Sequence, residues 1–204
     1  MTSSAPATTD RSNFSSVLAN GTKVGLCVGV LVVAFLAVSR MMPAGTGLAA
    51  VQTLIVLAGG VAASLLPGEW AVARETEGVA GAAAIGLWGT VVFSAFDIVL
   101  LRPFKAFPWT WDAIGGNSTW WYLPIWWMLG TYLAWMGGML VAGRNARQRT
   151  SFVQIAAPVV IGALVVGILA RVLGCPEGLP VTSGAGLVLT LTVLALISLV
   201  RQEA

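Results

Sequence analysis

The chain has 204 residues, of which 57% are hydrophobic and only 9% are charged, and its mean hydropathy is +0.88. Soluble globular proteins carry about a quarter of their residues as Asp, Glu, Lys or Arg, so this composition excludes an ordinary water-soluble domain. The 24 glycines follow no triplet period, which excludes a collagen-like chain, and the apolar fraction is too high for a disordered one. The sequence therefore predicts an integral membrane protein.

The residues that are missing exclude several kinds of chemistry. The chain has no His, which removes the commonest metal ligand, general base and haem ligand. Its two cysteines, Cys27 and Cys175, are too few for a disulfide framework and show no CxxC spacing. No P-loop, dinucleotide-binding glycine motif or pair of carboxylates within a helix turn is present. We therefore expect no catalytic residues, no metal site and no cofactor.

Six apolar windows have the length of a membrane span. A helix needs about 20 residues to cross roughly 30 Å of hydrocarbon. The windows cover about 23–42, 47–67, 78–101, 119–142, 152–173 and 182–200, and each is bounded by a charged residue, Pro or Gly. The predicted fold class is all-α, a polytopic bundle of six transmembrane helices that forms one domain over residues 23–204.

The first 22 residues are rich in Ser, Thr and Ala, and we expect them to form a polar, mobile tail. Two alternatives are a transit peptide and a signal peptide. A signal peptide is conceivable because Lys23 precedes an apolar run and Ala37-Val38-Ser39 resembles a small-residue cleavage site. The leader before that run is, however, long and weakly basic for a signal peptide, which favours the uncleaved tail.

The Lys and Arg residues of the short loops predict the orientation, because cytoplasmic loops carry an excess of them. With six spans, one side has seven basic residues, namely Arg11, Lys23, Arg74, Arg144, Arg147, Arg149 and Arg201. The other side has four, namely Arg40, Arg102, Lys105 and Arg171. This bias predicts that both termini are cytoplasmic, and a bacterial inner membrane is the default location.

Small residues spaced four apart predict where helices approach each other closely. The third span carries Gly78, Ala82, Gly86, Thr90 and Ser94, and the fourth carries Gly130, Ala134, Gly138 and Ala142. We interpret them as helix-packing residues between spans three and four, although the same residues could dock a helix of a partner protein. The amides Gln52 and Gln154 are expected to hydrogen-bond across helices.

Tryptophan is concentrated around the outer loop, predicted over residues 102–124. Indole rings prefer the headgroup level of a bilayer, which favours an aromatic belt. The density of Trp also allows a surface for a partner, a lipid or a pigment, because Trp is enriched in interface hot spots. The candidate contact residues are Trp109, Trp111, Trp120, Trp121, Trp126 and Trp127. Trp88 and Trp135 are expected to fill gaps between helices.

Asp97 is the carboxylate that lies clearly inside a predicted span, near Ser94 and Thr90. Ionisable groups in a membrane are costly and usually face the bundle or a water-filled cavity. One interpretation is a structural ion pair with Arg102, Lys105 or Arg171, which share its side of the membrane. The other is a binding site for a proton or a cation, with Ser94 and Thr90 as neighbouring polar groups.

These patterns predict a non-catalytic scaffold or accessory subunit of a larger membrane complex, whose setting could be respiratory or photosynthetic. Its partners would be the lipid bilayer and other membrane-protein subunits. A nucleic-acid partner is not expected, because the net charge is only +3 and no basic run with interleaved aromatics occurs. The alternative function is a small-solute or ion transporter or channel that uses Asp97.

Overall fold

The computed structural model describes residues 13–72, 76–101, 103, 122–145 and 151–203. Every regular element within these ranges is helical. The helices are α1 (Phe14–Met41), α2 (Thr46–Ala71), α3 (Thr76–Phe96), α4 (Tyr122–Asn145), α5 (Phe152–Val172) and α6 (Leu179–Glu203). A π-helical turn, Asp97–Leu101, continues α3. In the described part of the chain six helices are long and apolar enough to cross a membrane, which confirms the predicted all-helical class with six candidate spans.

Helix α1 begins earlier than the predicted first span. The side chain of Asn13 caps it by accepting a hydrogen bond from the backbone N–H of Ser16 at 2.8 Å. Residues 14–22 of the predicted polar tail are therefore helical, and residues 1–12 lie outside the described ranges. The 28 residues of α1 measure about 42 Å, which exceeds the hydrocarbon thickness by about two turns.

Helix α2 continues past Pro67, where the sequence placed a span boundary. Proline removes a backbone donor and normally bends or ends a helix. Here Pro67 and Gly68 are buried, and a Cβ added to Gly68 would lie 3.0 Å from the Cα of Gly138 on α4. The helix continues through Pro67 and ends at Ala71.

The consecutive helices run antiparallel, with α2 at the centre of the bundle. Helix α2 packs against α1, α3, α4 and α6, α3 lies between α1 and α4, and α5 packs mainly on α6. Gln52, near the start of α2, donates to the hydroxyl of Ser39, near the end of α1, at 2.8 Å. Because α2, α4 and α6 are parallel, the start of α1 and the end of α6 lie at the same end of the bundle.

The helices bury a small interior and expose much apolar surface. The larger core cluster joins α2, α4, α5 and α6 around Leu65, Leu140, Ile155 and Leu191, and a smaller one joins α1, α2 and α3. Large apolar side chains are exposed on the outer faces, among them Val30, Leu54, Ile161 and Leu189. This arrangement suits a lipid environment, where exposed apolar side chains carry no hydration cost.

The small residues of α3 and α4 contact each other within this chain. A Cβ added to Gly86 would overlap the Cβ of Ala134, and one added to Gly138 would lie 2.9 Å from the Cβ of Ala82. Gly78 and Ala142 are also buried. A closer approach, not predicted from the sequence, joins α4 to α2, where the position of a Cβ on Gly137 is occupied by the carbonyl oxygen of Ser64.

The two intramembrane amides have different roles. Gln52 hydrogen-bonds across α1 and α2, as expected. The expectation for Gln154 was wrong, because its Oε1 accepts a hydrogen bond from the backbone N–H of Ser151 at 3.0 Å and so caps the start of its own helix. A Gln three residues after a Ser at a helix start lies within reach of the backbone N–H of that Ser, and this local hydrogen bond forms here instead of one to a neighbouring helix.

Gly137→Ala should destabilise the bundle by about 2–3 kcal/mol, because a methyl group there meets backbone, which cannot move aside like a side chain. The control is Gly59→Ala, whose added Cβ would lie 3.7 Å from the nearest side-chain atom, Cδ1 of Leu31. Reversible unfolding in mixed detergent micelles measures both changes. Equal stability of the two variants would contradict the close contact between α2 and α4.

Val72→Gly should stabilise the protein by about 1 kcal/mol. Val72 follows α2 with φ 53° and ψ 46°, a left-handed conformation that is strained for a β-branched residue and natural for glycine. The same unfolding experiment tests this change, with Val72→Ala as the control that keeps a Cβ and gains little. A loss of stability in Val72→Gly would show that this backbone strain is absent.

Candidate intramembrane polar site and tryptophan surface

Asp97 lies at the point where α3 changes its helical geometry. Its side chain is buried, with 8% of its surface exposed, and it is the first residue of the π-helical turn that ends at the buried Leu101. A π-helical turn is rare, inserts an extra residue into the helix and often occurs at functional sites. The sequence predicted an unbroken helix here, because nothing local distinguishes a π turn from an α turn in a run of apolar residues.

Ser94 and Thr90 precede Asp97 on α3, and both use their hydroxyl protons within this helix. Ser94 Oγ donates to the carbonyl of Thr90 at 2.7 Å, and Thr90 Oγ1 donates to the carbonyl of Leu87 at 2.8 Å. Thr90 also packs against Gly130 of α4. The three residues thus lie on one helix, but the two hydroxyls are already engaged with backbone.

Helix α4 adds a donor that the sequence analysis did not assign. The indole Nε1 of Trp127 donates to Ser94 Oγ at 3.3 Å. One residue earlier on each helix, the rings of Trp126 and Phe93 meet edge to face, with centroids 6.0 Å apart and planes at 60°. The packing of spans three and four was predicted, but these side-chain contacts were not, because the sequence does not specify how the two helices are rotated about their axes.

The predicted ion-pair partners of Asp97 are only partly described. Arg102 and Lys105 lie outside the described residues, and Asp97 does take part in an interaction. Arg171 is not brought to Asp97. Its Nη1 donates to the carbonyls of Cys175 and Glu177 at 2.6 and 2.8 Å, at the end of α5, which packs mainly on α6. Arg171 therefore holds the connection between α5 and α6.

The predicted tryptophan surface is described only where α4 begins. Trp109, Trp111, Trp120 and Trp121 lie outside the described residues. Trp126 is half-buried against α3, and Trp127 is 36% exposed although its nitrogen is bonded. Large apolar neighbours on α4 are also exposed, namely Ile125, Met128 and Leu129. In the first turns of α4, the indole of Trp127 therefore hydrogen-bonds towards α3, and the neighbouring side chains form an apolar outer surface.

Trp88 and Trp135, for which the sequence predicted the same role, behave differently from each other. Trp88 lies between α1 and α3, where it donates to Thr22 Oγ1 at 3.1 Å and packs over Gly21. Trp135 was expected to fill a similar gap, and this expectation was wrong, because 48% of its surface is exposed. The close contacts of α4 bury the adjacent Ala134 and Met136, so the intervening residue must point outward.

The described residues offer little reactive chemistry. They contain no group of three or more His, Cys, Asp or Glu side chains that could hold a metal ion. Cys27 is half-buried and Cys175 is exposed, and each is a free thiol. Comparison of the chain with protein-family models, curated proteins and solved structures yields no match. Functional inference therefore rests on the contacts and surfaces given above.

The hydrogen bond between Trp127 and Ser94 should contribute about 0.6 kcal/mol, the average for such bonds between membrane helices. A double-mutant cycle with Trp127→Phe and Ser94→Ala measures this coupling directly by unfolding in micelles. Trp135→Phe serves as the control, because its exposed ring should show no coupling to Ser94→Ala. Additive effects of Trp127→Phe and Ser94→Ala would mean that the bond contributes nothing to stability.

Proposed function

We propose that the protein is a non-catalytic, multi-pass membrane protein that acts as a scaffold or accessory subunit of a larger membrane complex. The main supporting observation is that most Ser and Thr hydroxyls on the described helices bond to carbonyls of their own helix, although the buried Ser183 hydroxyl has no partner. Thr53, Ser64 and Thr131 each donate to the carbonyl four residues earlier, all at 2.7 Å. Hydroxyls engaged in this way support packing and leave few polar groups to line a path for a solute.

The outer face of α4 supports assembly with other membrane subunits. Met128 is 72% exposed and Trp135 is 48% exposed, on the helix whose opposite side packs on α2 and α3. Trp and Met are among the side chains enriched in protein interfaces. A respiratory or photosynthetic complex is one setting, in which a chain without His would pack against cofactors that other subunits hold.

Affinity purification in a mild detergent followed by native mass determination tests this proposal. We expect stoichiometric co-purification of other membrane polypeptides. The double variant Met128→Ala/Trp135→Ala should lose them, whereas Ile161→Ala/Val165→Ala, on the exposed face of α5, should retain them. Recovery of the wild-type chain as a lone monomer or homodimer would contradict the proposal, as would equal retention by both double variants.

A transporter or channel is the second candidate, favoured by one observation. Asp97 is a buried carboxylate at a π-helical turn, and such residues mark ion or proton pathways in many membrane proteins. If the protein is a scaffold, Asp97→Asn reconstituted into liposomes should pass protons and cations at the wild-type rate. A loss of flux in Asp97→Asn, with an unchanged elution volume and unfolding midpoint, would assign the transport function instead.

We further propose that both termini are cytoplasmic, in a bacterial inner membrane. The alternation of the six helices is consistent with both termini on one side, and the excess of Lys and Arg on that side supports a cytoplasmic location. It places Cys175, in the exposed connection between α5 and α6, on the outer side. A membrane-impermeant maleimide should therefore label the Cys27→Ser variant in intact spheroplasts, and should leave Cys175→Ser unlabelled. Labelling of Cys27→Ser only after lysis would reverse the orientation.

A further inference from the structure

A lysine on α1 is held against a tryptophan of α2. Lys23 Nζ lies 5.8 Å from the centroid of the Trp70 ring, within the range of a cation–π contact. The Lys23 side chain is exposed. Among the described residues it forms no ion pair, including with the half-buried Glu69 that precedes Trp70. The ammonium group is thus oriented by an aromatic ring and keeps its charge available to an external anion.

Both residues stand on a firmly packed part of the bundle. The neighbours of Lys23 are held against α3, since Trp88 donates to Thr22 Oγ1 at 3.1 Å and Val24 is buried. The Trp70 ring packs against the small core cluster formed by Val24, Ala71, Ala82 and Ile85. The cation and the ring are therefore preorganised, which lowers the entropic cost of binding a ligand.

The position of the pair along the bundle corresponds to the surface of the membrane. Trp70 is the penultimate residue of α2, so Lys23 Nζ lies at the level where this helix ends. Trp prefers the headgroup level, and Lys reaches it by extending its side chain along apolar surface. The described basic residues Arg144, near the end of α4, and Arg201, near the end of α6, lie at the same end of the bundle, and basic residues at a membrane surface attract anionic lipids.

An exposed apolar stripe runs from Lys23 along α1 towards the middle of the membrane. It consists of Leu26, Val30 and Val33, which are 48%, 64% and 44% exposed. These positions follow Lys23 at intervals of three and four residues, so they share its face of the helix. The stripe offers an acyl chain a continuous apolar contact directly beneath the ammonium group.

We propose that Lys23 and Trp70 bind the phosphate of an anionic phospholipid, with one acyl chain along Leu26, Val30 and Val33. The ammonium group has three donors and no acceptor, which suits the phosphate oxygens. The ring of Trp70 covers one side of the ammonium group, so the phosphate approaches from the lipid side. The occupant is a membrane lipid because the charged group and the apolar stripe are continuous and open to the bilayer.

Titration of the delipidated, full-length protein in mild detergent tests the proposal. Phosphatidylglycerol or phosphatidylcholine is added to the micelles at equal mole fractions, and bound lipid is counted by native mass spectrometry. We expect the wild type to prefer phosphatidylglycerol and Lys23→Gln to bind it about fivefold more weakly, the loss expected for one lysine near the surface. Lys23→Arg should retain binding, Trp70→Leu should weaken it, and the control Arg40→Gln, at the other end of α1, should leave it unchanged.

Three results would overturn the site. Equal phosphatidylglycerol binding by the wild type and Lys23→Gln would show that Lys23 is not part of the site. Equal binding of phosphatidylglycerol and phosphatidylcholine by the wild type would show that the site does not select anionic lipids. Inorganic phosphate that raises the unfolding midpoint as much as phosphatidylglycerol does would identify a soluble anion as the ligand.

If Lys23→Gln fails to fold, the salt dependence of lipid binding by the wild type tests the proposal. Phosphatidylglycerol binding should weaken between about 0.05 M and 0.5 M salt, because salt screens the attraction between the ammonium group and the phosphate. Binding that does not change with salt would overturn the proposal.

Discussion

The close approach of helix backbones at glycine is the constraint on which the rest of this structure depends. Lipid tails are as apolar as leucine side chains, so helices in a bilayer gain little by exchanging lipid for one another unless their surfaces fit closely. Helix α4 achieves that fit on two sides. Gly137 meets the carbonyl of Ser64 on α2, and Gly130 and Gly138 meet Thr90 and Ala82 on α3. Contacts of this kind leave no room for side chains where the backbones meet, and Trp135, which lies between the buried Ala134 and Met136, is directed outward.

Most polar groups on the helices are satisfied locally. The hydroxyls of Thr53, Ser64, Ser94 and Thr131 bond to the carbonyl four residues earlier, which α-helical geometry places within reach of a Ser or Thr side chain. Few polar links cross between helices, among them Gln52 to Ser39, Trp127 to Ser94 and the pair of Tyr132 and Thr192 at 2.6 Å. Asp97 differs from this pattern, since it combines a buried carboxylate with a change from α to π geometry. It is the feature on which the choice between a scaffold and a transporter depends.

The surfaces of the molecule carry the proposed functions. We propose that the outer face of α4, with its exposed Met and Trp side chains, contacts a neighbouring protein, and that Lys23 with Trp70 binds a lipid headgroup. These two surfaces rest on different helices and on different interactions, one apolar and one electrostatic. A scaffold in a membrane complex has use for both, because subunits and lipids together fill the space between neighbouring helices.

Sequence alone predicts the properties that depend on single helices. The number and class of the spans follow from bilayer thickness and residue hydropathy, and the spacing of Gly and Ala marks the faces of α3 and α4 that can approach closely. Beyond the pairing of spans three and four, the sequence does not specify which helices are neighbours or how they are rotated about their axes, and the remaining features depend on that. The tertiary structure decides that Gly137 meets Ser64, that Trp127 reaches Ser94, that Trp135 points outward and that Lys23 lies over Trp70. Each of these features depends on contacts between different helices, so its geometry arises only when the helices pack together.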